Sequence, residues 1–137
     1  MSSLKNAPVL AFAMKEEAAD VFADYPVLYT GIGKVNAAYA LTQRIHQARP
    51  SLVINMGTAG SRKHRGGAIV NPTRFVQRDM DVTALGFAKF QTPFSSDPVE
   101  IDHGRRVESF PGGVCGSGDN FDASAGAEGF DVVDMEA

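Results

Sequence analysis

Five short segments hold side chains or backbone groups that can do chemistry. Glu16 and Glu17 follow an apolar run and fall in the first turn of a predicted helix, where the positive end of the dipole favours ionised carboxylates. A carboxylate kept ionised there can take a proton from water. The same placement also suits acids that only complement the dipole and face solvent, and local pattern does not separate the two. Gly31-Ile32-Gly33-Lys34 and Gly57-Thr58-Ala59-Gly60 are glycine turns that bring N–H groups near an anion or a sugar hydroxyl. Tight packing of a strand against a helix explains either turn equally well. Neither ends in the lysine-serine pair of a P-loop or matches the dinucleotide fingerprint. Ser117-Gly118-Asp119-Asn120-Phe121 puts small and polar residues before an aromatic able to stack on a flat base, or to enter the core. Asp134-Met135-Glu136 follows an apolar pair and also reads as a helix cap with an acid in its first turn. His46, His64 and His103 lack metal-ligand spacing, so no metal or other cofactor is expected.

The elements that must position these residues alternate. Residues 8–13 form a short apolar run, as in a buried strand. Residues 15–25 place Ala18, Val21, Phe22 and Tyr25 on one helical face, closed by Pro26. A second strand is predicted at 27–30 and a second helix at 34–49, with Val35, Ala38, Leu41, Ile45 and Ala48 on its apolar face and Pro50 after it. Residues 52–56 read as a third strand. Strands separated by such helices predict parallel pairing through right-handed crossovers, an α/β sandwich whose ligands gather at the strands' carboxyl ends. Residues 68–76 suggest a strand interrupted at Asn71-Pro72. Residues 84–112, with Phe87, Phe90, Phe94 and Phe110, read as a long excursion. Two more short strands fit 113–118 and 130–133, and 134–137 looks like the opening of a helix.

Bulk properties narrow the class. The 137 residues predict a single domain over 1–137. Hydrophobic residues at 44% and charged residues at 21% exclude a disordered or fibrous chain. A net charge of -3 gives no general attraction to nucleic acid or to a membrane surface. The basic run Arg62-Lys63-His64-Arg65 is short enough to be a solvated loop. With Cys115 the sole cysteine, no intrachain disulfide can form. No apolar run reaches bilayer length and no signal-like segment precedes the first strand, so a cytoplasmic protein is expected.

Taken in order, AMKEE, TGIGKVNAA, VINMGTAG, DVTALG, SGDNF and VVDMEA resemble the 5'-methylthioadenosine/S-adenosylhomocysteine nucleosidases of the purine nucleoside phosphorylase and nucleosidase superfamily. The resemblance runs from about residue 9 to residue 137. It implies a three-layer sandwich with a central twisted, mixed, mostly parallel β-sheet flanked by helices, C-terminally incomplete here. It implies hydrolysis of the adenine–ribose bond by a homodimer, to which the phenylalanine-rich excursion would contribute. The water-activating glutamate falls on Glu17. By the same resemblance, Thr58, Ala59 and Gly60 would lie near the attacking water and the sugar, Phe121 would pack against adenine, Met135 would lie under the ribose, Glu136 would accept from its 2' and 3' hydroxyls, and Ile32 would wall the 5' substituent.

The rival is a phosphorylase, whose phosphate site resembles an arginine two residues before the glycine turn plus another on the first loop. Asn55 and the acidic AMKEE block stand there instead. A phosphate beside Glu16 and Glu17 would meet uncompensated charge costing on the order of a kcal/mol or more per unit. Three departures qualify the resemblance. The family's leaving-group aspartate belongs to a later Ser-Asp block absent from these residues, which keeps a non-catalytic nucleoside-binding reading open. Asp122 stands where an apolar residue usually lies beside the base. The segment before TGIGK is shorter than in longer enzymes.

Overall fold

A computed structural model describes residues 6–124 and 128–137. They form two compact units, one of residues 6–58 with Glu136, the other of residues 59–124 and 128–135 with Ala137.

In the first unit, β1 (Val9–Phe12) is the middle strand, flanked by β2 (Val27–Tyr29) and β3 (Val53–Asn55), both parallel to it. All four residues of β1 are buried, which is why the sequence there is an unbroken apolar run rather than an alternating one. Leu10, Phe12 and Ala18 form the core, with Phe22, Val27 and Met56 packed against them.

Both helices depart from the periodicity. The first, α1 (Lys15–Ala18), is one turn long, not the eleven-residue helix expected over 15–25. Ala19 swings to φ 46, and Tyr25 precedes Pro26, which disfavours helical backbone. Ala18 and Phe22 alone keep their expected inward role, Phe22 against Phe12 at 5.3 Å between ring centroids. Val21 and Tyr25 are exposed. The second, α2 (Lys34–Ala48), has nearly the expected length but buries a rotated face. Ala37 is buried whereas Val35 is 76% exposed and Ile45 48%. Gly33 at φ 98 starts this helix and Arg49 ends it in the left-handed region, donating its N–H to Ile45 O before Pro50.

The second unit contains a four-stranded sheet of order β5-β4-β6-β7. Its strands are β4 (Arg74–Gln77), β5 (Glu100–Asp102), β6 (Val114–Ser117) and β7 (Val132–Asp134). β4, β6 and β7 run parallel, and β5 is antiparallel to β4. The expected strand over 68–76 begins only at Arg74, after the Asn71-Pro72 interruption. The excursion supplies a 3-10 turn (Thr83–Leu85) and β5, and Phe90 stacks on Phe130 at 5.6 Å. Val76, Phe130 and Val133 form the core, with Phe90 and Val114 against it.

Asp131 ties this unit's loops together. Its Oδ2 accepts from Val114 N at 2.7 Å and its Oδ1 pairs with Lys63 Nζ at 2.7 Å. Ser61 Oγ donates to Asp131 O and accepts from the N–H groups of Lys63 and His64. Lys63 is thereby drawn into a structural pair, while Arg62 and Arg65 stay exposed, the solvated-loop behaviour expected of the basic run. The expected helix opening at 134–137 does not become a helix in these residues, yet Asp134 Oδ2 accepts from Ala137 N at 2.9 Å, the bond a helix cap makes.

Two outcomes test this packing. A β-carbon on Gly116 would lie 2.5 Å from Phe130 Cδ2, so Gly116→Ala should lower the unfolding free energy by about 1–3 kcal/mol, read from the urea midpoint. Lys63, and then the Val114 N–H, hold the Asp131 carboxyl below its ordinary value. Its contribution is therefore complete above the unfolded value of about 4 and disappears as pH falls through the lower folded value. Asp131→Asn should reduce stability at neutral pH and flatten its decline below about pH 4 in acid titrations of the urea midpoint.

Candidate active site

β1 ends at Phe12, and the turn that follows returns Glu17 to the strand it has just left. Glu17 Oε2 accepts from Ala13 N at 3.1 Å, and Oε1 accepts from both Thr58 N and Thr58 Oγ1 at 2.9 Å. Thr58 stands just beyond β3, the neighbour of β1, so parallel pairing delivers it to the same end of the sheet. Gly57 permits the approach, since a β-carbon there would sit 3.1 Å from Glu17 Oε1. A carboxylate has about four acceptor positions. Three are filled among the described residues, which leaves one on Oε2 for a water.

This arrangement differs from the dipole argument. A single-turn helix has little macrodipole, and hydrogen bonds from backbone and threonine hold the carboxylate in place. They also separate Glu17 from Glu16, which is exposed.

At the end of β2, Gly31 at φ 83 and Gly33 at φ 98 occupy backbone conformations that side chains rarely adopt. Gly33 N donates to Glu136 Oε1 at 3.0 Å, which brings the acid of the VVDMEA block to the TGIGK turn. Ile32, between the glycines, is 48% exposed and can meet a ligand.

The second unit carries the remaining candidates. Gly60 exchanges backbone hydrogen bonds with Val133, at 2.9 and 2.8 Å, which pairs Gly60 with β7 two residues before Met135. Met135 is half-buried and Ala59 exposed. Phe121, just after the β6 turn, is 83% exposed, so it is not a core residue. Asp122 Oδ1 accepts from Ser124 N at 2.8 Å and so closes its own turn. Cys115 is buried and donates to Asp134 Oδ1 at 3.4 Å. Burial, and then the charge of Asp134, push its thiol well above the usual range and suppress the nucleophilic thiolate. Among the described residues no group of three or more His, Cys, Asp or Glu could hold a metal ion, and no helix is long and apolar enough to cross a membrane.

The sequence pattern of the phosphorylase superfamily matches residues 24–137. The chain belongs to the phosphorylase superfamily. Within it, the 5'-methylthioadenosine/S-adenosylhomocysteine nucleosidase of Actinobacillus succinogenes is 39% identical over 110 residues, covering 69% of this chain and 46% of the relative. The Haemophilus influenzae nucleosidase is 37% identical over 110 residues, covering 72% and 48%. The chain thus spans about half the length of the curated relatives it matches.

Solved structures show the fold. The Neisseria meningitidis nucleosidase in complex with methylthio-immucillin-A superposes with a TM-score of 0.77 at 24% identity, over 96% of this chain and 76% of that one. The futalosine hydrolase of Helicobacter pylori gives 0.79 at 21%, over 99% and 77%. The mixed, mostly parallel sheet architecture with helices, expected from the resemblance, is therefore the fold of these structures.

Sequence reasoning missed three parts of the site. Nothing marked Gly33 N as a partner for Glu136, or Thr58 as a double donor to Glu17. Arg78 and Asp79, which hold the turn before Phe121, also went unnoticed. An arginine after a strand has no distinguishing spacing, and only its contacts expose it.

The geometry predicts that Thr58→Val, which keeps the N–H donor and removes the hydroxyl, lowers stability by about 1 kcal/mol in urea at neutral pH. An unchanged midpoint would show that the hydroxyl does not hold Glu17.

Proposed function

We propose that the chain belongs to a nucleosidase that hydrolyses the N-glycosidic bond of an adenine nucleoside, such as 5'-methylthioadenosine or S-adenosylhomocysteine, releasing adenine and a ribose derivative. The observation that carries this reading is the Glu17 carboxylate, fixed by three donors with one acceptor position left. The names of these curated relatives support the substrate class.

In this reading, water donates a hydrogen bond to Glu17 Oε2. Its oxygen attacks the anomeric carbon as the bond to the base nitrogen breaks, and the electron pair leaves with adenine. Glu17 takes the proton that the attacking water loses, the work of a general base. The sugar passes through oxocarbenium character, so groups that hold its hydroxyls lower the barrier by orientation. Glu136, tied to Gly33 N, accepts from the 2' and 3' hydroxyls. Met135 supports the ribose face, Ile32 contacts the 5' substituent, Thr58, Ala59 and Gly60 border the water and sugar, and Phe121 stacks on the base.

Asn55, at the end of β3, and the exposed Glu16 favour water over phosphate. Neither supplies the positive charge that a phosphate trianion requires. A homodimer and a cytoplasmic location belong to the same proposal. Phe94, 95% exposed on the excursion, offers apolar surface to a second copy.

The test is adenine release from 5'-methylthioadenosine by purified wild-type protein and by Glu17→Gln. Loss of a general base should cost about a hundredfold or more in turnover while nucleoside affinity stays within a fewfold. Equal turnover in the variant would remove Glu17 from the mechanism. Binding without release in the wild type would assign departure of the base to residues outside these 137.

A further inference from the structure

The turn between β6 and Phe121 is shaped by one guanidinium. Arg78, just after β4, donates from Nε to Gly116 O at 3.2 Å and from Nη1 to Asn120 Oδ1 at 2.8 Å. Its Nη2 donates to Gly118 O, Asn120 O and Asp134 O. The Arg78 N–H adds a bond to Ser117 O at 2.9 Å, and the neighbouring Asp79 Oδ2 accepts from Asp119 N at 2.8 Å. Gly118 is enclosed by this pair, since a β-carbon on it would lie 3.1 Å from both Arg78 Cγ and Asp79 Cγ. Gly118 N donates to Asp134 O, so the turn and the end of β7 share the same anchor.

These contacts have a directional consequence. No peptide bond among the described residues is cis, and in a trans peptide the C=O and the following N–H point in opposite directions. With Asn120 O bound to the guanidinium, the Phe121 N–H must point away from it. No hydrogen bond among the described residues uses that N–H. Beside it lies the 83% exposed ring of Phe121. A backbone donor next to an exposed aromatic face matches the two features of a purine, ring nitrogens that accept in the plane and a π surface above it.

We propose that Arg78 is the positioning residue for base recognition: by gripping the carbonyls of Gly116, Gly118 and Asn120 it aims the Phe121 N–H and ring at adenine. This rests on the adenine-nucleoside reading above. It assigns a specificity role to a residue that touches neither the sugar nor the water. Lysine cannot substitute, because an ammonium is a single point with three donors and no planar fork.

The experiment compares wild-type protein with Arg78→Lys and Arg78→Ala. Calorimetry measures binding of adenine, 5'-methylthioadenosine and 5-methylthioribose, and amide hydrogen exchange is followed at Gly118 and Asp119. Both variants should bind adenine and 5'-methylthioadenosine roughly tenfold or more weakly while 5-methylthioribose affinity holds. Exchange at the two amides should accelerate, and methylguanidine added to Arg78→Ala should restore part of the adenine affinity. Equal weakening for all three ligands would reduce Arg78 to a general structural role and overturn the proposal. So would unchanged exchange, or faster exchange with intact adenine affinity. If wild-type protein binds 5-methylthioribose but no adenine compound, the adenine reading fails and the base-recognition role falls with it. Wild-type adenine binding that Arg78→Lys leaves intact refutes the Arg78 role alone.

Discussion

An ionised carboxylate at the end of a parallel sheet must find donors or remain in water, and the solution reached by Glu17 organises the first unit. Its oxygens take hydrogen bonds from the residue that closes β1 and from the backbone and side chain that follow β3. Several local features then follow from that constraint. The turn after β1 must be tight enough to bring Glu17 back within four residues. β3 must be parallel to β1 so that its exit lies at the same edge. Gly57 must lack a side chain so that Thr58 can reach the carboxylate. The helix after β1 shrinks to one turn, and backbone and threonine donors hold the carboxylate.

The second unit solves the complementary problem with a cation. Arg78 collects the carbonyl oxygens of Gly116 within β6, of Gly118 in the bend after it and of Asp134 at the end of β7. Buried or half-buried carbonyls need partners, and a guanidinium can serve several at once from one plane. Asp131 does comparable work at the other end of β6, capping Val114 N while holding Lys63 and, through its own carbonyl, Ser61. Loops that would otherwise be independent are thus attached to the β6–β7 pair by charged groups with defined geometry.

Much of the fold was legible because it rests on strong local signals. The unbroken apolar run of β1, the glycine turns and Pro50 fixed the order of the first three strands and the position of α2 to within a residue or two. What periodicity misjudged was which helical residues meet the sheet. Val35 and Ile45 look like core residues by spacing, yet the small Ala37 is the one buried. In α1 the spacing of Val21 and Tyr25 was helical, but the chain leaves the helix at Ala19 before either can pack. Of the proposed site, Glu17 and Glu136 were visible through motif order, as was Phe121. Their partners were not, because Thr58 Oγ1, Gly33 N and the Arg78 fork become neighbours only through strand pairing and turns far apart in sequence.

The claim that joins these observations is that Glu17 prepares water, not phosphate, to attack the sugar. The most direct test is mass spectrometry of the sugar formed from 5'-methylthioadenosine by the purified protein in excess inorganic phosphate. Free 5-methylthioribose, in the same yield with and without phosphate, is the predicted product. Accumulation of 5-methylthioribose 1-phosphate would contradict the account and place a phosphate where the Glu17 water is proposed to lie.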